Sequence, residues 1–489
     1  MCNKGLVGDK YNLLRPEEIE KIHKSSLWVL EETGVSIDDD HFLTLFEQIG
    51  ANVDRNQRLV KLSPNIVKEF VGMAPEEILL AGRDQENDLL LGGHRVYLGT
   101  GGAAIHILDL ETGKLRDPVL QDQYDLAWLT ENLENVHFYQ CPVVCTDIPK
   151  EVLSLNSFYA ALAGTKKNVQ EFATAVEAAR DVIEMAAMIA GDEEALRERP
   201  FISFVTSWMI SPLKLDIGTS RVLETVASRG IPVALSSAPV TGSTAPAALA
   251  GLLTLVHAEE LFGIVLAQII REGTPVLYGP VPAVANMRNM AYLGGAVETG
   301  MMNAAAVQMA NHIGVPIYSD AGQTDSKLPD IQAGYEKAAN IFQVALAGGN
   351  YIHHAAGMLE SMLAVAYEQF IIDNDISGMV LRALQGIEVN DDTLALDVIN
   401  RVGPGGNYLT QRHTLKYARS DEFYIPNGAD RDSRVAWEKS GGKDARERAR
   451  EIARGILNQE RPQLIPSKVD SQIRHRFDIR LPQPGTVLA

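Results

Sequence analysis

Cysteine is scarce: the 489-residue chain holds three, Cys2, Cys141 and Cys145. Three cysteines cannot make a disulfide scaffold at this size, and the usage suits a reducing, cytoplasmic compartment. Positive charge is also short. Forty-four Lys and Arg against 63 Asp and Glu leave a net charge of −19. That argues against nucleic acid as a partner, because phosphate binding needs a basic face. Long apolar runs are missing as well. The uninterrupted piece 245–256 is too short to span a bilayer, and His257, Glu259 and Glu260 interrupt the apolar stretch beyond it. The opening MCNKGLVGDKYNLL has no apolar core of signal-peptide length. No GxGxxG comes after the first predicted strand, and no HExxH occurs anywhere, so dinucleotide binding is weakened and no metal ligand set is expected.

The rest is an ordinary globular composition, 46% hydrophobic and 22% charged. Residues 1–120 read as a helical cap followed by a small β meander. Pro16 and the acids after it open a helix that Gly34 stops, with further helices over 37–49 and 64–73. Residues 94–118 alternate apolar and polar side chains between glycines, the pattern of a meander. From 121 to 400 short apolar strands alternate with helices. The strands fall at 137–144, 168–173, 201–206, 231–236, 275–279, 315–318 and 350–353. Seven strands, with one unplaced, predict an α/β fold of the (βα)8 TIM-barrel type. Residues 401–489 add a glycine-rich loop, a charged helix over 434–456 and a proline-bearing wrapping tail.

Several groups invite a chemical reading. Cys141 and Cys145 lie four apart in a predicted strand, about 13 Å from each other and too far for one zinc, so core packing is the expectation. His353 and His354 are adjacent, so on a regular strand one of them at most lines a barrel interior. The segment 319–327 comes after a strand and leads into a helix, with Gln332 and Glu336 flanking it. It is either a capped turn or a binding loop at a barrel's active face. Aromatics recur at predicted strand ends: Phe204, Trp208, Tyr278, Tyr318 and Tyr351. Each reads as core when taken alone, and together they read as a cation–π box for a quaternary ammonium. Gly405, Gly406 and Asn407 sit in GPGGNYL, which lacks the Lys-Ser/Thr of a phosphate loop.

The strings TDSKLPDIQAGYEKA, ALAGGNYIHHAAGMLES, GPGGNYLTQRHT and DEFYIP resemble the trimethylamine methyltransferase family, and the likeness runs over nearly the whole chain. The resemblance implies a (βα)8 barrel that moves a methyl group from a methylated amine to the cobalt of a separate corrinoid protein. Founding members of that family carry pyrrolysine, and this chain has none. The resemblance therefore implies a quaternary amine as substrate, glycine betaine first, with proline betaine, carnitine and other methylated amines as alternatives. It implies a cobalamin supplied by the partner and none held tightly by this chain. Expected donors to a substrate carboxylate are Gln323, Lys327, Asn350 and His353, with Gly405, Gly406 and Asn407 offering close approach to the corrin ring. Two readings from other classes stay open. One is a lyase or aldolase using Lys327 as a Schiff-base amine, disfavoured by Asp325 beside it; the other is a non-catalytic binder of methylated amines. A homo-oligomer is expected, with 434–456 and the tail as surfaces for another copy.

Overall fold

The structure is a computed structural model that describes residues 5–483. Cys2 and the last six residues of the tail lie outside the described residues. Eight parallel strands form the central sheet: β1 (Arg95–Thr100), β2 (Phe138–Gln140), β3 (Asn168–Glu171), β4 (Ile202–Thr206), β5 (Val233–Ser237), β6 (Val276–Pro280), β7 (Tyr318–Asp320) and β8 (Tyr351–Ala356). They pair in the order β6-β5-β4-β3-β2-β1-β8-β7, and a parallel bridge from Tyr278 to Ile317 joins β6 to β7 and closes the ring. A helix comes after each strand: α1 (Leu120–Glu131), α2 (Lys150–Gly164), α3 (Val176–Ala190), α4 (Ile217–Ser228), α5 (Leu249–Ile270), α6 (Val297–Ile313), α7 (Ile331–Ala347) and α8 (Tyr367–Gln385). The fold is a TIM barrel.

The eighth strand, unplaced from sequence, is β1. Its residues carry the alternation of a meander, yet they pair in parallel with β2 and β8. The alternation over 94–118 mixes two sheets. His106–Leu108 and Leu115–Arg116 pair antiparallel around the 109–114 turn, and the start of β1 takes Leu6–Val7 as an antiparallel neighbour.

Strand alternation sorts the side chains into two layers. Tyr97, Phe138, Val205, Ala234, Leu277, Tyr318 and Tyr351 pack inside the barrel. A hairpin of Ile78–Leu80 and Leu89–Leu91 joins this cluster and stops the N-terminal end. The neighbours in sequence face the helices. Phe204 meets Phe158 of α2 at 5.2 Å, and Tyr278 sends its hydroxyl to His257 Nδ1 of α5 at 2.9 Å. Helix α5 is long and apolar enough to cross a membrane by composition, and most of it is buried in this fold. It packs against the N-terminal helices Pro16–Trp28 and Pro64–Val71, and Phe46 lies 4.6 Å from Phe262. A buried His257 and two buried glutamates on α5 are consistent with a core helix: Glu259 accepts from Ser211, at 2.8 Å, and from Ser237.

Asn350 sits just before β8 and ties three strands at the closed end. Its Oδ1 accepts from Ile317 N at 2.9 Å, and its Nδ2 donates to the carbonyls of Gly93 and Arg95, both at 2.9 Å. These bonds place it at the opposite end of the strands from the mouth, so it is a clamp and not a substrate donor. Replacing it with leucine strands three buried backbone groups. Asn350→Leu is expected to cost about 2–3 kcal/mol, read as a lower denaturation midpoint. A loss within about 0.5 kcal/mol would contradict the clamp.

Candidate active site at the barrel mouth

Barrel enzymes work at the C-terminal ends of their strands, where loops between strands and helices converge. Here the ends of β7 and β8 bring three groups together. Asp320 Oδ1 lies 2.8 Å from His354 Nδ1. Gln323 Nε2 donates to Asp320 Oδ2 at 2.6 Å, and Tyr292 OH approaches the same oxygen to 3.5 Å. The Asp320 amide is held in turn by Asn303 Oδ1 of α6 at 3.0 Å.

The adjacent histidines do not split between faces. His354 has a φ of 65°, the left-handed region, and the pairing of β8 with β1 shifts register between Ile352 and Ala356. This kink turns both rings toward the mouth, 4.2 Å apart and edge to face. A side chain at Gly101 would collide with His354, because its Cβ would fall 1.9 Å from His354 Cδ2. Non-glycine residues held in the left-handed region store strain that functional sites often use.

His353 is buried with no hydrogen-bond partner on either ring nitrogen. Burial, and then the neighbouring His354, push its pKa well below the ordinary histidine range, so the ring is neutral. One nitrogen is then a free donor and the other a free acceptor. Its ring stacks on Tyr318 at 3.8 Å; Tyr318 stacks on Tyr351 at 5.7 Å, and Tyr351 on Phe138 at 3.5 Å. The Gln140 amide meets the Tyr318 hydroxyl at 2.9 Å. The rings form one column with His353 at its upper end.

Of the sequence-selected residues, the structure brings Gln323 and His353 to the mouth, with Tyr318 beneath His353 and Tyr351 deeper inside the barrel. The five-membered aromatic box is not formed. Phe204 and Tyr278 face the helices, and Trp208 packs on Phe262 of α5 at 6.3 Å. Tyr318 and Tyr351 spend their ring faces on each other and on their stacking neighbours. Lys327 is turned outward, with Nζ on its own loop at Asp325 O, 2.6 Å away. Gly405, Gly406 and Asn407 are exposed in the segment beyond α8. Sequence reasoning missed Tyr292 and Gln140, held Asp320 only as part of the 319–327 loop, and admitted one at most of His353 and His354 to the barrel interior. Asp320 was legible as the last residue of a strand that opens a polar loop.

Asp320, His353 and His354 can each offer one ligand atom within 4.8 Å of the others. The cluster thus suits a positive charge: a buried carboxylate, two imidazoles, and, among the described residues, no lysine or arginine ion-paired to Asp320. Cys141 and Cys145 are free, buried and packed behind β2.

The profile described as Trimethylamine methyltransferase (MTTB) matches residues 6–481. The chain belongs to the trimethylamine methyltransferase family. It is 35% identical to a glycine betaine methyltransferase of Desulfitobacterium hafniense, over 95% of this chain and 96% of that one. It is 36% identical to a trimethylamine methyltransferase of the same species, over 94% and 92% of the two chains. A trimethylamine methyltransferase of Methanosarcina barkeri is 33% identical, over 92% of each. Among solved structures, dihydropteroate synthase from Xanthomonas albilineans overlaps 61% of this chain and 97% of its own, at 12% identity and a TM-score of 0.37.

Glu171 ends β3 in the layer between strands and helices. Its Oε2 is enclosed without a partner, and burial pushes its carboxyl up to about 8. The unfolded chain loses that proton near the ordinary value of 4.5, so the folded state binds more protons between about 4.5 and about 8. Its stabilising contribution is therefore complete below this window and lost as pH rises through it. Glu171→Gln removes the titration. The variant's Tm is expected to gain on the parent's as pH climbs from about 4.5 to about 8. Parallel Tm profiles would contradict this.

Proposed function

We propose that this chain transfers a methyl group from a quaternary amine, glycine betaine first, to the reduced cobalt of a separate corrinoid protein. The observation that carries the reading is the buried Asp320 carboxylate at the end of β7, without a lysine or arginine ion pair among the described residues and beside a neutral, unpartnered His353. Such a site attracts a cation, and its neutral His353 does not serve as an acid toward it. The likeness to a glycine betaine methyltransferase supports the choice of substrate, as does a chain made without pyrrolysine.

In the transfer the C–N bond breaks and its electron pair stays on nitrogen. A quaternary ammonium leaves as a neutral tertiary amine, so no proton has to be delivered. The acceptor cobalt, when bound, supplies the nucleophile. The chain's own task is positioning and exclusion of water. Asp320 faces the ammonium, held in orientation by Gln323 and His354. The His353 N–H is the donor for a substrate carboxylate. Because nitrogen loses charge as the methyl leaves, one carboxylate serves better than a full aromatic cage that would over-stabilise the bound cation.

The mouth also suits a flat macrocycle brought by a partner. Ile105, Met287, Met290, Leu328, Ile331 and Leu363 are exposed on the loops and first helical turns around it. An apolar rim of this kind marks an interaction surface. The cobalamin then arrives with its own protein, and this chain holds none tightly by itself.

The test mixes the protein with a Co(I) corrinoid protein and a panel of methylated amines, and follows the absorbance change to methyl-Co(III). Glycine betaine is expected to turn over, releasing dimethylglycine, and trimethylamine is not. Asp320→Asn should lower kcat/KM about tenfold to a hundredfold, the equivalent of about 1.5–3 kcal/mol for a lost charged contact. Silence across the panel, with a corrinoid protein active toward another methyltransferase, would sink the proposal.

A further inference from the structure

The two histidines at the mouth are brought together by a backbone that one hydrogen bond does not explain. His354 holds a left-handed φ of 65°, and its ring and that of His353 end up 4.2 Å apart. A regular strand would send one of the two rings toward the helices. The contact between Asp320 and His354 uses one nitrogen of one ring. Both nitrogens of His353 stay enclosed without a partner, in a residue that is 1% exposed. A buried polar group left unpaired is the mark of a ligand, an ion or a water that belongs there.

Three donors converge at this point. A carboxylate oxygen of Asp320, one nitrogen of His353 and one of His354 lie within 4.8 Å of one another, the one such trio among the described residues. Ligand atoms on a tetrahedral zinc, with bonds of about 2.0–2.1 Å, stand about 3.3 Å apart. Asp320 Oδ1 and His354 Nδ1, at 2.8 Å, are already that close, and the His353 ring has only to draw in. Gln323 Nε2 donates to the other Asp320 oxygen at 2.6 Å, the kind of bond that orients a ligating carboxylate. The buried cation of this region, Lys337, is spent on Asp373 at 3.2 Å and on two carbonyls.

The donor set also selects the ion. Magnesium and calcium take oxygen ligands, whereas two imidazoles and a carboxylate suit zinc and its neighbours. Elsewhere the imidazoles satisfy each other. His23 Nδ1 and His257 Nε2 bond at 2.9 Å, and His257 Nδ1 meets Tyr278 OH at 2.9 Å, so both nitrogens of His257 are used.

We infer that Asp320, His353 and His354 bind a divalent cation of the zinc class at the barrel mouth. Three protein ligands leave a fourth position for water, as in zinc sites that stay open to a further ligand. No spaced motif announces the set, because adjacent histidines reach one ion only across the kink in β8. The inference does not rest on methyl transfer. The ion and a quaternary ammonium exclude each other, since both claim the Asp320 carboxylate, and a metal on His353 takes a nitrogen that a substrate carboxylate would use.

Equilibrium dialysis of the full chain, stripped with EDTA and then exposed to zinc chloride at neutral pH, decides it. The parent is expected to hold one zinc with a dissociation constant at or below about 1 μM, and magnesium chloride should give no binding in that range. Asp320→Asn and His353→Phe should each weaken zinc binding at least about a hundredfold, while His23→Ala leaves it unchanged. His353→Phe keeps a ring on Tyr318, and circular dichroism checks that each variant is folded. X-ray absorption at the zinc edge should show nitrogen and oxygen neighbours at about 2.0–2.1 Å. No bound zinc, zinc held equally well by His353→Phe, or sulfur neighbours at the ion would overturn the inference. Zinc bound by a chain silent toward every methylated amine would uphold this site and sink the transfer, and turnover of glycine betaine by a chain that binds no zinc would do the reverse.

Discussion

One buried lysine holds the mouth of this barrel together. Lys337 of α7 donates to the carbonyl of Gly322, beyond β7, and to that of Met358, beyond β8, at 3.1 Å for the second. Its charge is met by Asp373 of α8 at 3.2 Å, and neither side chain is exposed. Burial pulls the lysine down and pushes the aspartate up to about 6, so the pair resists its own ionisation. Removing either partner would leave the other buried and uncompensated, a far larger loss than the net worth of the pair. Its value is positional. It locks together the two loops that carry Gln323 and the histidines. The same aspartate accepts from Gly357 N at 2.7 Å, next to the kink in β8.

That lock explains how a strained residue survives. His354 keeps a left-handed backbone because its surroundings leave no alternative: Asp320 fixes its Nδ1, and Gly101 gives its ring room. Such strain costs about 1–3 kcal/mol. What it achieves is the convergence of two consecutive imidazoles on one side of the chain, which a regular strand forbids.

This is also where the sequence stops being legible. The helix–strand beat over 121–400 is readable because each element carries its own periodicity and its own stop signals. The long-range fact that β1 belongs to the barrel is not, since its alternation over Arg95–Thr100 looks the same in a meander. The aromatics show the limit again. Phe204, Tyr278, Tyr318 and Tyr351 all sit in strands, but which face each occupies depends on register across the ring, and one residue of register inverts the answer. The adjacent histidines mislead for a different reason. A single left-handed residue overrides period-two alternation, and no local pattern announces it at a non-glycine position.

The chemistry of the mouth is set by the groups buried there. The aromatic column under His353 is full: each ring face within it is spent on a neighbour, so the column is a floor and not a cage. Above that floor the chain offers a carboxylate with His354 bonded to it, and a neutral His353 whose burial denies it the proton an acid would need. A leaving group that departs as a strong base would get no proton from His353. A leaving group that is already cationic needs none, because losing the methyl makes it neutral. An acid-poor mouth and a cationic substrate are two sides of one constraint. The proposal of a quaternary amine rests on that match between what the site withholds and what the substrate does not require.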